Sequence, residues 1–363
     1  MNRRKFLFCG CGAACAAYAR LGGLEIAAQT ARRQITIGGR RVRTVDMHAH
    51  VFIQEAWPLV KDLPQVDRSM ANLGNSAMAV DAGGLDRRFR EMDRQGIDVH
   101  VISVHPSQFL YFTEPDLAAR IVKMQNERIA GLCAMYKDRF VGFGNVSLQQ
   151  PDLAIEQMNY AVAQLDMRGF IIGANVNGGE LTNPKLDPFW RRAGELGTVI
   201  SIHPQGFDDA GKRLDGAGAL GNNIGFPLDT TIALAHLIFE GHLDRFPGLR
   251  IIGAHGGGFL ASYIGRFDNC HAIQAPCQKM MRKPSDYLRG PQLYFDSLVY
   301  SPQNLGHLVA TAGASQIVIG TDFGFPIASS TPVDTVLQTP GLTPEQQAAI
   351  LGGNAARLLK LSA

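Results

Sequence analysis

Eight short apolar runs, each followed by a longer stretch of helical pattern, limit most tightly what this chain can fold into. They are Thr44–His48, Val99–Val104, Phe140–Val146, Gly169–Val176, Val199–His203, Arg250–Ala254, Leu293–Asp296 and Ile317–Thr321. Several are apolar almost without interruption, as parallel strands covered on both faces are. Between them the spacing turns helical. Ile155, Met158, Val162 and Leu165 recur at intervals of three and four behind Pro151, which suits a first helical position. Thr343-Pro344-Glu345-Gln346 has the form of a capping box opening the final helices. Strand and helix alternating in this way predict a closed (β/α)8 barrel. An open, doubly wound sheet would want a Gly-rich phosphate loop after an early strand, and the sequence has none. The 363 residues hold one such barrel, of about 250 residues, with insertions.

The residues ahead of the barrel divide the chain into 1–31 and 32–363. Arg3-Arg4-Lys5 precedes an apolar, small-residue stretch that runs to Ala19, which resembles a bacterial twin-arginine export signal. Small residues near Ala27–Ala31 offer a cleavage site, and Arg20 leaves the apolar run too short to span a membrane. The expectation is a periplasmic or otherwise exported protein with no membrane span in the mature chain. Without residues 1–31, basic and acidic side chains balance at 31 each, so no basic patch for nucleic acid is implied. Of the six cysteines, Cys133, Cys270 and Cys277 lie beyond the leader; their spacing is not that of a zinc knuckle, and it leaves a Cys270–Cys277 bridge open without establishing it. Ile35–Val45 is β-prone around a Gly38-Gly39 turn. Two connections, Val51–Leu85 and Gln205–Gly225, exceed plain turns and leave the strand ends where barrel enzymes build their sites, so substrate loops are expected there.

The chemistry-bearing residues gather at the same ends. In Val45-Asp46-Met47-His48-Ala49-His50, side chains two apart on a strand point the same way, so His48 and His50 are expected to face the interior together. Asp46 is expected deeper on that face as a structural polar residue. His203 ends the fifth run, His255 the sixth, before three glycines, and Asp322 the eighth. Five polar residues at apolar strand ends are hard to explain by packing, because each buried polar group would need its own partner. His100 reads as a satisfied core histidine and His105 as a pocket candidate. His236, His242, His271 and His307 read as surface or second-layer residues. Phe323 and Phe325, directly after Asp322, read as pocket-lining.

An H-x-H on strand one with His on five, His on six and Asp on eight resembles the amidohydrolase superfamily. The chain is most similar to the branch holding aminocarboxymuconate-semialdehyde decarboxylase and the non-oxidative aromatic-acid decarboxylases. The resemblance runs from Thr44 to Leu361 and is most specific at Ala254-His255-Gly256-Gly257-Gly258, Gly265-Arg266-Phe267-Asp268-Asn269, Gly320-Thr321-Asp322-Phe323-Gly324-Phe325-Pro326 and Gly353-Asn354-Ala355-Ala356-Arg357-Leu358. It implies that His48, His50, His203 and Asp322 bind one divalent metal, zinc first and manganese second. It implies that His255, with Asp322, performs acid–base catalysis beside metal-bound water. It implies that Arg266 crosses to a neighbouring subunit's site and holds a substrate carboxylate, hence a homodimer. His105 and Phe323 complete the expected substrate contacts. Two departures stand out. Gly169–Asn177 contains no lysine to bridge a second metal, and Ser76 or a neighbour stands where the muconate enzyme has a second carboxylate-binding arginine.

These expectations converge on a metal-dependent decarboxylase of a small unsaturated or aromatic carboxylic acid. The same scaffold also supports a hydrolase such as a lactonase, or a hydratase.

Overall fold

The computed structural model describes residues 32–66, 68–206 and 213–361. The export-signal segment lies outside the described residues, as do residues 207–212 of the connection after the fifth strand.

Eight parallel strands pair in sequential order: β1 (Val45–Val51), β2 (Val99–Val104), β3 (Phe140–Gly144), β4 (Gly169–Gly173), β5 (Val199–His203), β6 (Arg250–Gly253), β7 (Leu293–Asp296) and β8 (Ile317–Val318). The principal helix after each strand is α1 (Ala82–Gln95), α2 (Pro115–Met135), α3 (Pro151–Leu165), α4 (Asp187–Leu196), α5 (Phe226–Phe239), α6 (Leu260–Ile273), α7 (Pro302–Ala312) and α8 (Asn354–Leu359). The first strand meets the last: Met47 N donates to Ile319 O at 2.9 Å, Asp322 N to His48 O at 2.9 Å and His50 N to Phe323 O at 3.0 Å. With the Ala49–Phe323 bridge, these bonds close the (β/α)8 barrel.

Local chemistry accounts for the elements. Pro151 opens α3 at its first turn. Thr343 and Gln346 make the reciprocal capping box, at 3.3 and 2.9 Å. Gly38 and Gly39 both have positive φ, as a tight two-residue hairpin requires, and join Ile35–Ile37 to Arg40–Val42. The excursion after β1 folds on a small core beside the main one, with Phe52, Ala56, Val60, Met70 and Met78 packed against Leu110 and Ile121 of the segment that follows β2. A disulfide joins Cys270, in the last turns of α6, to Cys277 in the short turn that follows it.

The barrel interior below the site is filled by Val45, Met47, Val99, Val101, Phe143, Val199, Ile252 and Val318, with Leu358 and Leu359 of α8 against them. Since Val45 and Met47 point inward, strict alternation would turn His48 outward. A register shift between Asp46 and Ala49 reverses the alternation, and His48 and His50 both face the interior. Asp46 is therefore not on the face of His48, as strict alternation had suggested. It meets His100 Nε2 at 3.3 Å, while Arg88 of α1 reaches His100 Nδ1 at 3.2 Å. Asp46 is structural even so: it accepts from Thr321 N at 3.0 Å, Thr321 Oγ1 at 2.5 Å and His48 N at 2.9 Å.

Gly352, just before α8, lies against the entry to β1, and a Cβ there would overlap the Arg43 carbonyl oxygen. Gly352→Ala should destabilise the fold by about 1–3 kcal/mol through overpacking. Urea unfolding checks this, and an unchanged midpoint would show that α8 does not bear on the strand as described.

Candidate metal centre

His48 and His50 come from β1, His203 from the last residue of β5, and Asp322 from the segment just past β8. Their potential ligand atoms lie within 4.8 Å of one another, and all four residues are buried. His48 Nε2 and His50 Nε2 stand 3.0 Å apart. Asp322 Oδ1 is 3.3 Å from the first and 3.2 Å from the second.

The outward faces of the three rings fix their tautomers. His48 Nδ1 lies 2.7 Å from Asp296 Oδ2, His203 Nδ1 2.7 Å from the Pro204 carbonyl and His50 Nδ1 3.3 Å from the Val104 carbonyl. Those oxygens only accept, so each Nδ1 carries a hydrogen and each Nε2 points inward, able to offer a lone pair to a cation once it holds no proton of its own. Three such nitrogens and a carboxylate then face one small space. His203 Nε2 and Asp322 Oδ1 are buried there without a hydrogen-bond partner among the described residues. Such a set is costly alone and fits one divalent cation, with the outward bonds holding the rings in place.

The electrostatics agree. Burial lowers the His50 imidazole below its ordinary value, and burial with the neighbouring imidazoles takes His203 well below. For His48, burial alone would lower it, but the Asp322 and Asp296 carboxylates outweigh this and push it up to about 10. Asp322 is held well below the usual carboxylate range, because His48, His255 and His50 outweigh its burial. A cation would replace these protons as the counter-charge.

His255 stands beside the quartet, with Nε2 3.4 Å from Asp322 Oδ2. Its φ of 54° and the 58° of Asp322 are left-handed, unusual for residues with a Cβ. The backbone around His255 is clamped by Asp296, whose carboxylate accepts from His255 N at 2.9 Å and Gly256 N at 2.8 Å besides meeting His48. Asp296 was not singled out from the sequence. Its signal was the one that marked Asp322, a carboxylate at the end of an apolar strand.

The quartet opens into a cavity of about 610 Å³, with His203, His255 and Asp322 at its polar end and Phe226, Phe259 and Phe325 among its walls. Phe325 is thus placed as expected. Phe323 is not: it is buried beneath the Arg88 guanidinium, 4.2 Å from its ring centroid, with His100 on the same ring. Because Phe323 pairs with Ala49 beyond the register shift, its side chain falls in the layer toward α1. His105 packs on Phe325, ring centroids 4.8 Å apart, and does not line the cavity among the described residues. Arg266 is exposed on α6, away from its own chain's cavity, and Asp268 accepts from Ser285 N rather than pairing with it. His307, read as a surface or second-layer residue, lines the cavity, as do Asn222 and Asn223 from the long connection after β5.

With the fold and site in view, residues 45–361 match the family model described as Amidohydrolase, and the chain belongs to that family. It is 30% identical over 278 residues to a 2-amino-3-carboxymuconate-6-semialdehyde decarboxylase from Dictyostelium discoideum, covering 76% of each chain. It is 28% identical over 253 residues to a gamma-resorcylate decarboxylase from Rhodococcus jostii, covering 66% of this chain and 77% of that one. The crystal structure of 5-carboxyvanillate decarboxylase from Sphingomonas paucimobilis superposes with a TM-score of 0.78 at 23% identity, over 88% of this chain and 100% of the other.

His203→Ala should lose most of the bound metal. Asp296→Asn, which frees the far side of His48, should weaken it about 10–100-fold. Metal content after dialysis against graded chelator checks both, and wild-type affinity in Asp296→Asn would contradict the orienting role given to that carboxylate.

Proposed function

We propose that this chain is a metal-dependent carboxy-lyase that removes CO₂ from a small unsaturated or aromatic acid. The observation that carries the reading is the buried set His48, His50, His203 and Asp322 beside His255, at the polar end of a cavity walled by phenylalanines. The decarboxylases among its relatives favour this over a lactonase or hydratase.

A divalent cation held by the quartet would anchor an oxygen of the acidic substrate and stabilise charge that develops on it. Zinc suits three imidazoles and one carboxylate, and manganese is the second choice. The residues of the chain do the rest. Phe226, Phe259 and Phe325 flank the unsaturated framework and exclude water. His255, paired with Asp322, delivers a proton to the carbon that bears the carboxylate. The bond from that carbon to the carboxylate then breaks, CO₂ leaves, and the electron pair restores the conjugation. The carbon keeps the proton.

Arg266 supports a homodimer, since its exposed position on α6 suits a carboxylate outside its own chain. The Arg3-Arg4 leader supports export. No helix among the described residues is long and apolar enough to cross a membrane.

Metal-loaded protein incubated with aromatic acids and lactones, with CO₂ and acid followed separately, should release CO₂. Acid release alone would make it a hydrolase. His255→Ala should keep its metal and lose at least about 100-fold in turnover, the range of a general acid. Full activity in that variant would remove His255 from the chemistry.

A further inference from the structure

The loop between β7 and α7 carries Tyr300 in a left-handed conformation, φ 56°. A tyrosine gains nothing from that region on its own: its Cβ crowds the backbone there, and the conformation persists only where the surroundings impose it. Burial does not explain it, because the residue is 51% exposed. Nor does a hydrogen bond, because none is made by its hydroxyl among the described residues.

The surroundings do impose it. Leu298 N donates to Asp296 Oδ1 at 3.1 Å, and Val299 N donates to Ser297 O at 2.8 Å. Past Tyr300, Ser301 caps α7 by accepting from Asn304 N at 3.0 Å, and Asn304 Nδ2 reaches back to Val299 O at 3.3 Å. Val299 lies on the turn after His255, so close to Gly256 that a Cβ there would strike its Cγ1. Both flanks of Tyr300 are therefore tied down, one of them to the turn that bears His255. Its side chain lines the same cavity as His255, Asp322 and Phe325. Burial and the charges of Asp322 and Asp296 push the phenol above its ordinary value, so it is a donor at neutral pH.

We propose that Tyr300 binds substrate: its hydroxyl donates to an oxygen on the unsaturated framework of the acid, distinct from the carboxylate that leaves, and the strained loop exists to hold it there. The assignment rests on the carboxy-lyase reading above and narrows it. The preferred acids are those carrying a hydroxyl or carbonyl oxygen besides the carboxylate. A neutral hydrogen bond made equally before and during reaction raises affinity without changing the chemical step, so its loss appears in KM.

The experiment uses full-length, metal-loaded protein with 2,6-dihydroxybenzoate as the acid. Tyr300→Phe should raise KM about three- to tenfold, the worth of one neutral hydrogen bond, with kcat within about twofold and metal content unchanged. Tyr300→Gly should raise KM at least as far while melting no lower than the unsubstituted protein, because glycine adopts this φ without strain. An unchanged KM in Tyr300→Phe overturns the proposal. So does a lowered melting temperature in Tyr300→Gly, which would assign the ring to packing. If the unsubstituted protein neither binds nor decarboxylates this acid while decarboxylating others, the narrowing to oxygenated acids of this kind fails. If it decarboxylates none, the carboxy-lyase reading itself has failed, before any variant is measured.

Discussion

The seam where β1 meets the end of the chain's last strand closes the barrel and assembles most of the metal centre at once. His48 O accepts from Asp322 N across it, His50 N donates to Phe323 O, and Asp46 on one side holds Thr321 on the other. Three of the four ligands hang from this join. Backbone bonds fix their Cα positions, so the ring nitrogens and the carboxylate meet without ordering flexible segments. The price is a break in regular alternation at Asp46–Ala49, which turns both histidines inward where an even strand, with Val45 and Met47 inside, would have turned both away.

Asp296 extends the same economy to the side of the site that bears His255. One buried carboxylate orients His48 and takes the two backbone N–H groups at the His255 turn, and its own ionised state follows from those partners outweighing burial. His255, Tyr300 and Asp322 are each left-handed although none is glycine, and all three line one cavity. Strain of about 1–3 kcal/mol at each such residue is expected where function sets the geometry. Around His255 it is the neighbouring glycines that make room: side chains on Gly256 and Gly257 would strike Val299 and Phe295.

Much of this was readable from sequence because periodicity and strand-end polarity are local signals. Most of the eight strands begin where their apolar runs begin, and His203 and His255 come at the end of theirs or just past it. The metal quartet was legible because a ligand on a strand end needs only the barrel to bring it to the others. What escaped depended on contacts between distant segments. The register shift that separates Asp46 from His48 is set by pairing with β2, so strict alternation misplaced Asp46. The same register sends Phe323 away from the cavity and leaves Phe325 in it. Asp296 shows its role only when the barrel brings His48 of β1 and the His255 turn after β6 to the end of β7, and Tyr300 only when the backbone angle is known.

The central claim is that His48, His50, His203 and Asp322 share one ion. X-ray absorption at the metal edge of the zinc- or manganese-loaded protein tests it most directly. The account predicts one ion per chain with three imidazole nitrogens and a carboxylate oxygen in its inner sphere, at about 2.0–2.2 Å for zinc, and a lost imidazole signal in His203→Ala. A sphere of water oxygens alone, or a spectrum indifferent to that substitution, would contradict it.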